Sequence, residues 1–313
     1  MAGQQWTTSA LGGTLTSVPL SRKLRVAAQP IMVFRGFVDP QEDFGKNTGD
    51  QLTFKKVGNV ANRGRVVSET ETVPETNITF TSDTVTAAEY TNSIRYTFRV
   101  EQLAMLDIRS AIINALKDDM AITLDIAASL QFKATDLKYT PTGTATNKTY
   151  TLNTAGTATA STREFSVWDH KNILDAMKQT YKMPRYSGRE YHAIHTTTTL
   201  RSLMDDSEWI EAAKYGQPQQ LFDGEFGKLY GCRITEESNA MDGTLAGGLG
   251  EAIYFGKDVC IEITAYPEEI QADLAGDFGR DRGLRWVWYG GFKHTWDFST
   301  ESDARAVHVT ATS

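Results

Sequence analysis

The chain has 313 residues, 40% of them hydrophobic and 23% charged, with a formal charge of −7 and a pI near 5.4. This describes a globular protein with one large core or two domains, and excludes a membrane-spanning helix, because no run of eighteen apolar residues occurs. The acidic balance argues against wrapping nucleic acid by phosphate neutralisation, yet is compatible with lying near it without sticking. In chain order, the opening "MAGQQWTTSALGGTLTSVPLSRKL" lacks the basic start and apolar run of a signal peptide. Its small, polar residues predict an arm that orders only against a partner, with Trp6, Leu11 and Leu15 as its few large apolar groups. The stretch 20–39 reads as partly helical, broken at Pro30.

A Thr- and Val-rich region follows. It predicts two long strands, 51–59 and 76–98, joined by a polar tip near 60–75. Such a hairpin reaches on the order of 50 Å. It holds too few bulky residues for a core of its own, which suits it to lying across a neighbour. The segment 100–134 predicts one long helix: Leu103, Leu106, Ile113, Leu116, Met120, Leu124, Ala127 and Leu130 recur at spacings of three and four. At about 1.5 Å per residue it is a strut of roughly 50 Å. Residues 135–165, rich in Thr, Ala and Gly, read as a surface β-excursion or a flexible loop. A compact α/β unit comes next: a helix over 166–182, the strand "EYHAIHT", one or two helices closed by Gly216, and strands at 229–236 and 251–263. The aromatic strand "RGLRWVWYGGFKHTWD" and a final strand "ARAVHVTAT" end the chain.

Candidate chemistry is sparse. "GEFGKLYG" (224–231) suggests a phosphate cradle, but a P-loop needs glycine at 222 and a hydroxyl at 229, where Phe222 and Leu229 stand. The better reading is a structural turn shaped by Gly224, Gly227 and Gly231 at the entry to a strand. His192 and His195 lie three apart in a strand and face opposite sides, so they do not make a zinc pair. His170, His294 and His308 show no metal spacing. "DFG" (277–279) lacks the companion motifs of a kinase. The acidic pairs Asp118–Asp119, Asp205–Asp206 and Glu268–Glu269 read as solvated faces. "RWVWYGGFKHTW" reads as core or interface ahead of a sugar-stacking platform. Cys232 and Cys260 read as small buried residues of a protein made in a reducing cytosol. The sequons at Asn77 and Asn147 matter only in a secreted protein, which nothing here suggests. No catalytic constellation emerges, so neither an enzyme nor a cofactor or metal is expected.

One segment carries a resemblance. In 195–238, His195, Leu200, Arg201, Asp205, Trp209, Ala212, Ala213, Lys214, Tyr215, Phe222, Gly224, Glu225, Gly227, Gly231 and Glu236 stand in an order typical of tailed-phage major capsid proteins. The branch it resembles is that of coliphage N-four. Thr196 replaces the usual proline. "KNTGDQLTF" (46–54) is similar to the family's entry into its extended loop, and "IYFGKD" (253–258) to its late strand. The resemblance implies an α+β, Hong Kong 97-type capsid fold. Its parts would be an N-terminal arm (1–35), an extended loop (45–98), a peripheral domain (99–165 and 292–313) with a spine helix (100–134), and an axial domain (166–291). It implies a shell of hexamers and pentamers of this chain, located in the virion and made in the host bacterial cytoplasm. The shell would enclose double-stranded DNA without sequence-specific binding, with separate portal and decoration proteins and no membrane. With no long leading segment in view, scaffolding is expected from a separate protein, or the chain is already processed. The alternatives are an encapsulin-like compartment of the same fold and, from a different class, a soluble enzyme or sugar-binding β-protein.

Overall fold

The computed structural model describes residues 30, 32–41, 49–58, 60, 64–104, 107–215, 227–241, 250–273, 277–296 and 303–312. Of the stretch 20–39, read as partly helical and broken at Pro30, residues 20–29 and 31 lie outside the described residues; the described part holds a 3-10 turn at Phe34–Phe37, followed by strand β1 (Asp39–Gln41). Pro40 is tolerated in β1 because that strand is the edge of its sheet. The Thr- and Val-rich region gives β2 (Gln51–Val57) paired antiparallel with β3 (Phe80–Thr86). The strand expected over 76–98 is two strands. The chain bends at Ala87, whose N–H donates to Asp50 O at 2.8 Å, and continues as β4 (Ala88–Thr97) in another sheet.

The helix expected over 100–134 is also divided. Helix α1 (Phe98–Leu103) is short, and helix α2 (Ile108–Lys133) runs for 26 residues. Each has its own N-cap: Thr97 Oγ1 accepts from the Val100 N–H at 3.4 Å, and Asp107 Oδ1 from the Ser110 N–H at 3.1 Å. A capping carboxylate at 107 starts a new helix in the middle of an unbroken apolar period. Leu103 therefore leaves the core face and is 69% exposed, while Leu116 and Leu124 are buried as their spacing implies.

Residues 135–165 form an ordered hairpin, β5 (Lys138–Gly143) with β6 (Lys148–Asn153). Helix α3 (Val167–Asp175) runs on into a π turn (Ala176–Thr180), and β7 (Tyr191–His195), α4 (Thr197–Met204) and α5 (Ser207–Tyr215) follow. The strand expected at 229–236 is a tight hairpin, β8 (Lys228–Leu229) and β9 (Cys232–Glu236). The strand expected at 251–263 is β10 (Gly250–Phe255) and β11 (Cys260–Ala272), in different sheets. Between them the backbone of Gly256 passes so close to Pro184 that a Cβ would lie 2.0 Å from its carbonyl oxygen, and Asp258 has φ +60°. Alternation in sequence carries no mark of that crossing. Strands β12 (Asp281–His294) and β13 (Ala306–Ala311) complete the chain.

The result is an α+β fold with three sheets. Their strand orders are β6-β5-β13-β10-β7-β9-β8, β1-β11-β12-β4 and β2-β3. The seven-stranded sheet packs one face against α3 and α4, around Leu174, Met177, Leu200 and Tyr254. Its other face shares a core with α2 and β12, where Leu116, Leu124, Phe132, Phe255, Trp286 and Trp288 meet. A small third cluster of Val85, Ile261 and Ile263, flanked by Leu52 and Phe54, seats the root of the β2–β3 hairpin on β11. Gly291 in β12 allows this approach: a Cβ there would lie 2.4 Å from Thr86 O. Leu116 is 1% exposed in the shared core. Leu116→Ala is expected to destabilise the subunit by about 2–5 kcal/mol, read as a lowered denaturant midpoint with an unchanged slope.

Candidate functional site

The glycine turn does not form a phosphate cradle in its described part. Tyr230 (φ +47°) and Gly231 (φ +86°) are the two loop residues between β8 and β9, both in the left-handed region that two-residue hairpins require. The Ile234 N–H reaches back to Gly227 O at 3.3 Å. Lys228 is ion-paired with Glu190 of its own chain, and its hydrogen bond holds the Glu190 carboxyl below the usual range. Gly224, like Trp6, Leu11 and Leu15, lies outside the described residues.

The histidines are distributed through the core. His192 packs on Phe37, Tyr186 and Phe255 on one face of the seven-stranded sheet. His195 packs on Phe165 and Tyr254 on the other. His170 Nδ1 lies 2.8 Å from the Tyr254 hydroxyl and its Nε2 3.2 Å from Leu229 O. Burial holds His170 down to about 4 and His195 and His308 down to about 3, so all three are neutral at pH 7. Both cysteines are buried, and burial pushes their thiols up, away from reactivity. Among the described residues no group of three or more His, Cys, Asp or Glu side chains is placed to hold a metal ion.

The acidic pairs do not converge as acid–base couples. Asp119 accepts from Trp286 Nε1 at 2.8 Å and from Asn92 Nδ2 at 2.9 Å, tying α2 to the sheet. Asp206 accepts the N–H groups of Val167 and Glu208. Glu268 pairs with Arg35 while Glu269 bonds Tyr266. Trp286 and Trp288 are fully buried, so the aromatic strand is core and offers no sugar platform there. A buried ion pair is structural too. Arg163 makes a bidentate pair with Asp169, and its remaining donors reach Thr142 O and Thr149 O, which locks the β5–β6 hairpin onto α3.

What the chain does present is uncovered apolar surface. Beyond the seated root of the β2–β3 hairpin, Val57, Val66, Val73, Ile78 and Phe80 are exposed, Val66 to 97%. A second group, Phe98, Val100 and Leu103 of α1 with Phe278, is exposed at the far end of the four-stranded sheet. Sequence reasoning missed this second group. Leu103 satisfies the helical period, and "DFG" draws the eye in sequence as a magnesium motif. Exposed apolar side chains in such groups mark association surfaces.

Comparison with known proteins agrees with that character. The family model described as "Phage capsid family" matches residues 12–257. Comparison with curated proteins finds no match. Among solved structures, the cyanophage Pam1 capsid asymmetric unit is similar at a TM-score of 0.73 and 13% identity, covering 100% of this chain and 99% of that one. The acidic stable capsid structure of Helicobacter pylori bacteriophage KHP30 gives 0.71 at 11% identity, covering 100% of both chains. The capsid of Ralstonia phage GP4 gives 0.66 at 15% identity, covering 99% and 98%.

Two outcomes are expected. Lys228→Ala should leave the melting temperature nearly unchanged and abolish no nucleotide binding, as measured by calorimetric titration with ATP. Acid should weaken the subunit through its buried histidines. Their folded pKa values lie below the unfolded value of about 6.5, so the stability they contribute is full above that pH and is lost as pH falls. The melting temperature is expected to fall steadily from pH 6.5 to pH 4, and less steeply in His170→Gln.

Proposed function

The chain belongs to the phage capsid family and has the Hong Kong 97-type fold of tailed-phage capsids, and on that premise we propose that it is a major capsid protein that self-assembles into an icosahedral head shell around double-stranded DNA. The observation that carries this reading is the β2–β3 hairpin, rooted in a small core of its own yet lined beyond it by exposed apolar side chains. Exposed apolar surface of this kind marks association, and a shell subunit covers it with its neighbours. Many such contacts, each weak, add up to a stable particle while single errors stay reversible. The formal charge of −7 supports an inner surface past which packaged DNA slides.

The finer reading places the chain in the coliphage N-four-like branch, on the motif residues of 195–258. It divides the chain into an arm (1–35), an extended loop (45–98), a peripheral domain (99–165 and 292–313) and an axial domain (166–291). In it, Gly224, Gly227 and Gly231 shape a turn of the axial domain, and Trp6, Leu11 and Leu15 make contacts on neighbouring subunits. The subunits form hexamers and pentamers, work with separate scaffolding, portal and decoration proteins, are made in the host cytoplasm and end in the virion.

Negative-stain microscopy of the purified chain tests the class of function. Closed shells are expected; small discrete oligomers with a saturable ligand would instead indicate an enzyme or sugar-binding protein. Shells filled with enzyme cargo and no DNA would indicate a cellular compartment. Two measurements test the parts. Protease is expected to cut residues 60–75 quickly in free subunits and slowly in shells; equal rates would remove the hairpin's intersubunit role. Deleting residues 1–18 is expected to leave the subunit's melting temperature almost unchanged while blocking or misdirecting shell formation. Normal shells from the truncated chain would sink the arm assignment.

A further inference from the structure

We propose that a basic patch at the edge of the seven-stranded sheet, built from the turn 184–190 and the β8–β9 hairpin, binds the phosphate backbone of double-stranded DNA; the inference rests on the shell reading above, because it makes this patch part of the shell's inner wall. The whole chain carries a formal charge of −7, yet here the sign reverses. Lys182, Arg185, Arg189, Arg233 and Lys257 are all exposed. Among the described residues none of the five is ion-paired, in contrast to their neighbour Lys228, which pairs with Glu190. Asp258 lies in the field of the half-buried Arg305, and Asp39 acts on Tyr186 beneath the turn. The five cations therefore keep a surplus of positive charge that an isolated subunit gains nothing by holding together.

The backbone holds these groups in one neighbourhood. The Tyr186 N–H donates to Glu190 O at 3.0 Å and the Glu190 N–H to Ser187 O at 2.9 Å, closing a tight turn with Gly188 at φ +56°. Arg185 Nη1 donates to Arg189 O at 3.3 Å. The Lys257 N–H donates to Pro184 O at 3.3 Å, which brings that lysine to the base of the turn. On the other side the Tyr191 N–H donates to Gly231 O at 3.0 Å, and Arg233 stands across from Lys228 in β8 and from His192 in β7. Tyr186 packs inward on Phe37 and His192, so the turn presents Ser187 and Gly188 between its arginines and no large apolar side chain. A protein partner calls for an apolar centre within a polar rim, which this turn does not supply. Cations strung along an exposed edge suit a partner whose negative charges repeat along its length. Three of the five are arginines, whose planar forks match phosphate oxygens two at a time. The DNA inside a head shell is a phosphate polymer of that kind.

A short labelled DNA duplex titrated into dilute subunits and read by fluorescence anisotropy tests the patch apart from assembly. The expected Kd is that of non-specific contacts, about 10⁻⁴–10⁻⁶ M at physiological salt, weakening as salt rises. Arg185→Gln combined with Arg233→Gln is expected to melt like the parent, to bind about tenfold more weakly, and to lower the slope of log affinity against log salt by about 2. Arg95→Gln combined with Arg285→Gln removes the same charge from ion-paired positions on the four-stranded sheet, and is expected to leave binding within about twofold of the parent. No duplex binding by the parent, or an equal loss in both variants, would overturn the proposal. Displacement of the duplex by polyglutamate at equal charge would also overturn it, and would name an acidic protein segment as the partner. A patch variant that binds duplex like the parent yet forms no shells would overturn it in favour of a contact between copies. If the parent forms no shells by microscopy, the shell reading fails and this inference falls with it; shells from a parent that ignores the duplex sink this inference alone.

Discussion

Helix α2 is the member to which everything else is referred, because one buried face of it serves two sheets at once. Leu116, Leu124, Ala128 and Phe132 meet Ile253, Phe255 and Ala306 of the seven-stranded sheet and Trp286, Trp288 and Phe292 of the four-stranded one. Polar contacts fix its register at the middle and the end. Asp119 receives the Trp286 indole N–H near the middle. Near the end, the Lys133 ammonium lies 2.8 Å from the buried Glu251 carboxylate of β10. Lys138 of β5 joins that corner, donating to Lys133 O at 2.6 Å and lying 3.2 Å from His308 Nδ1 of β13. A buried carboxylate with so few cationic partners is costly to leave alone, so the helix end cannot slide relative to the three strands without exposing it.

With α2 fixed, the remaining elements divide into those with a place inside the subunit and those without one. The β5–β6 hairpin has a place, supplied by Arg163 and Asp169. The root of the β2–β3 hairpin has one as well, in Val85, Ile261 and Ile263. The outer part of that hairpin, α1 and the β11–β12 tip do not. Among the described residues, their apolar side chains are left exposed. The buried histidines and thiols among the described residues sit in packed cores, and Arg163–Asp169 ties one element to another.

How much of this was legible in the sequence depends on what each signal measures. Alternation at 51–57 and the 3.6-residue period at 108–133 report which face of an element is buried, and both elements are present. Neither signal reports which sheet a strand joins. The runs 76–98 and 251–263 each read as continuous, although Ala87 and Gly256 carry the chain from one sheet to another. Likewise 229–236 alternates without interruption across the Tyr230–Gly231 turn. Opposite facings of His192 and His195 followed directly from strand geometry, because a spacing of three in a period of two allows nothing else. Position 278 shows the limit. An exposed aromatic at a turn looks in sequence like any buried one, since exposure is settled by the rest of the chain.

The seating of the hairpin has a mechanical consequence. At Gly291 backbone meets backbone with no side chain between, so the root behaves as a clamp without a cushion. The β2–β3 ladder is thus a lever: its last pair, Val57 and Phe80, lies six residue steps, about 20 Å, from Thr86 at that clamp. A tilt of about 5° at the root would move the ladder's end by about 2 Å, more than a close-packed contact absorbs unchanged. Small angular differences between subunits at differently curved places on a closed surface would therefore be magnified into distinct contacts at the lever's end, and the same chain could sense local curvature without any change in its core.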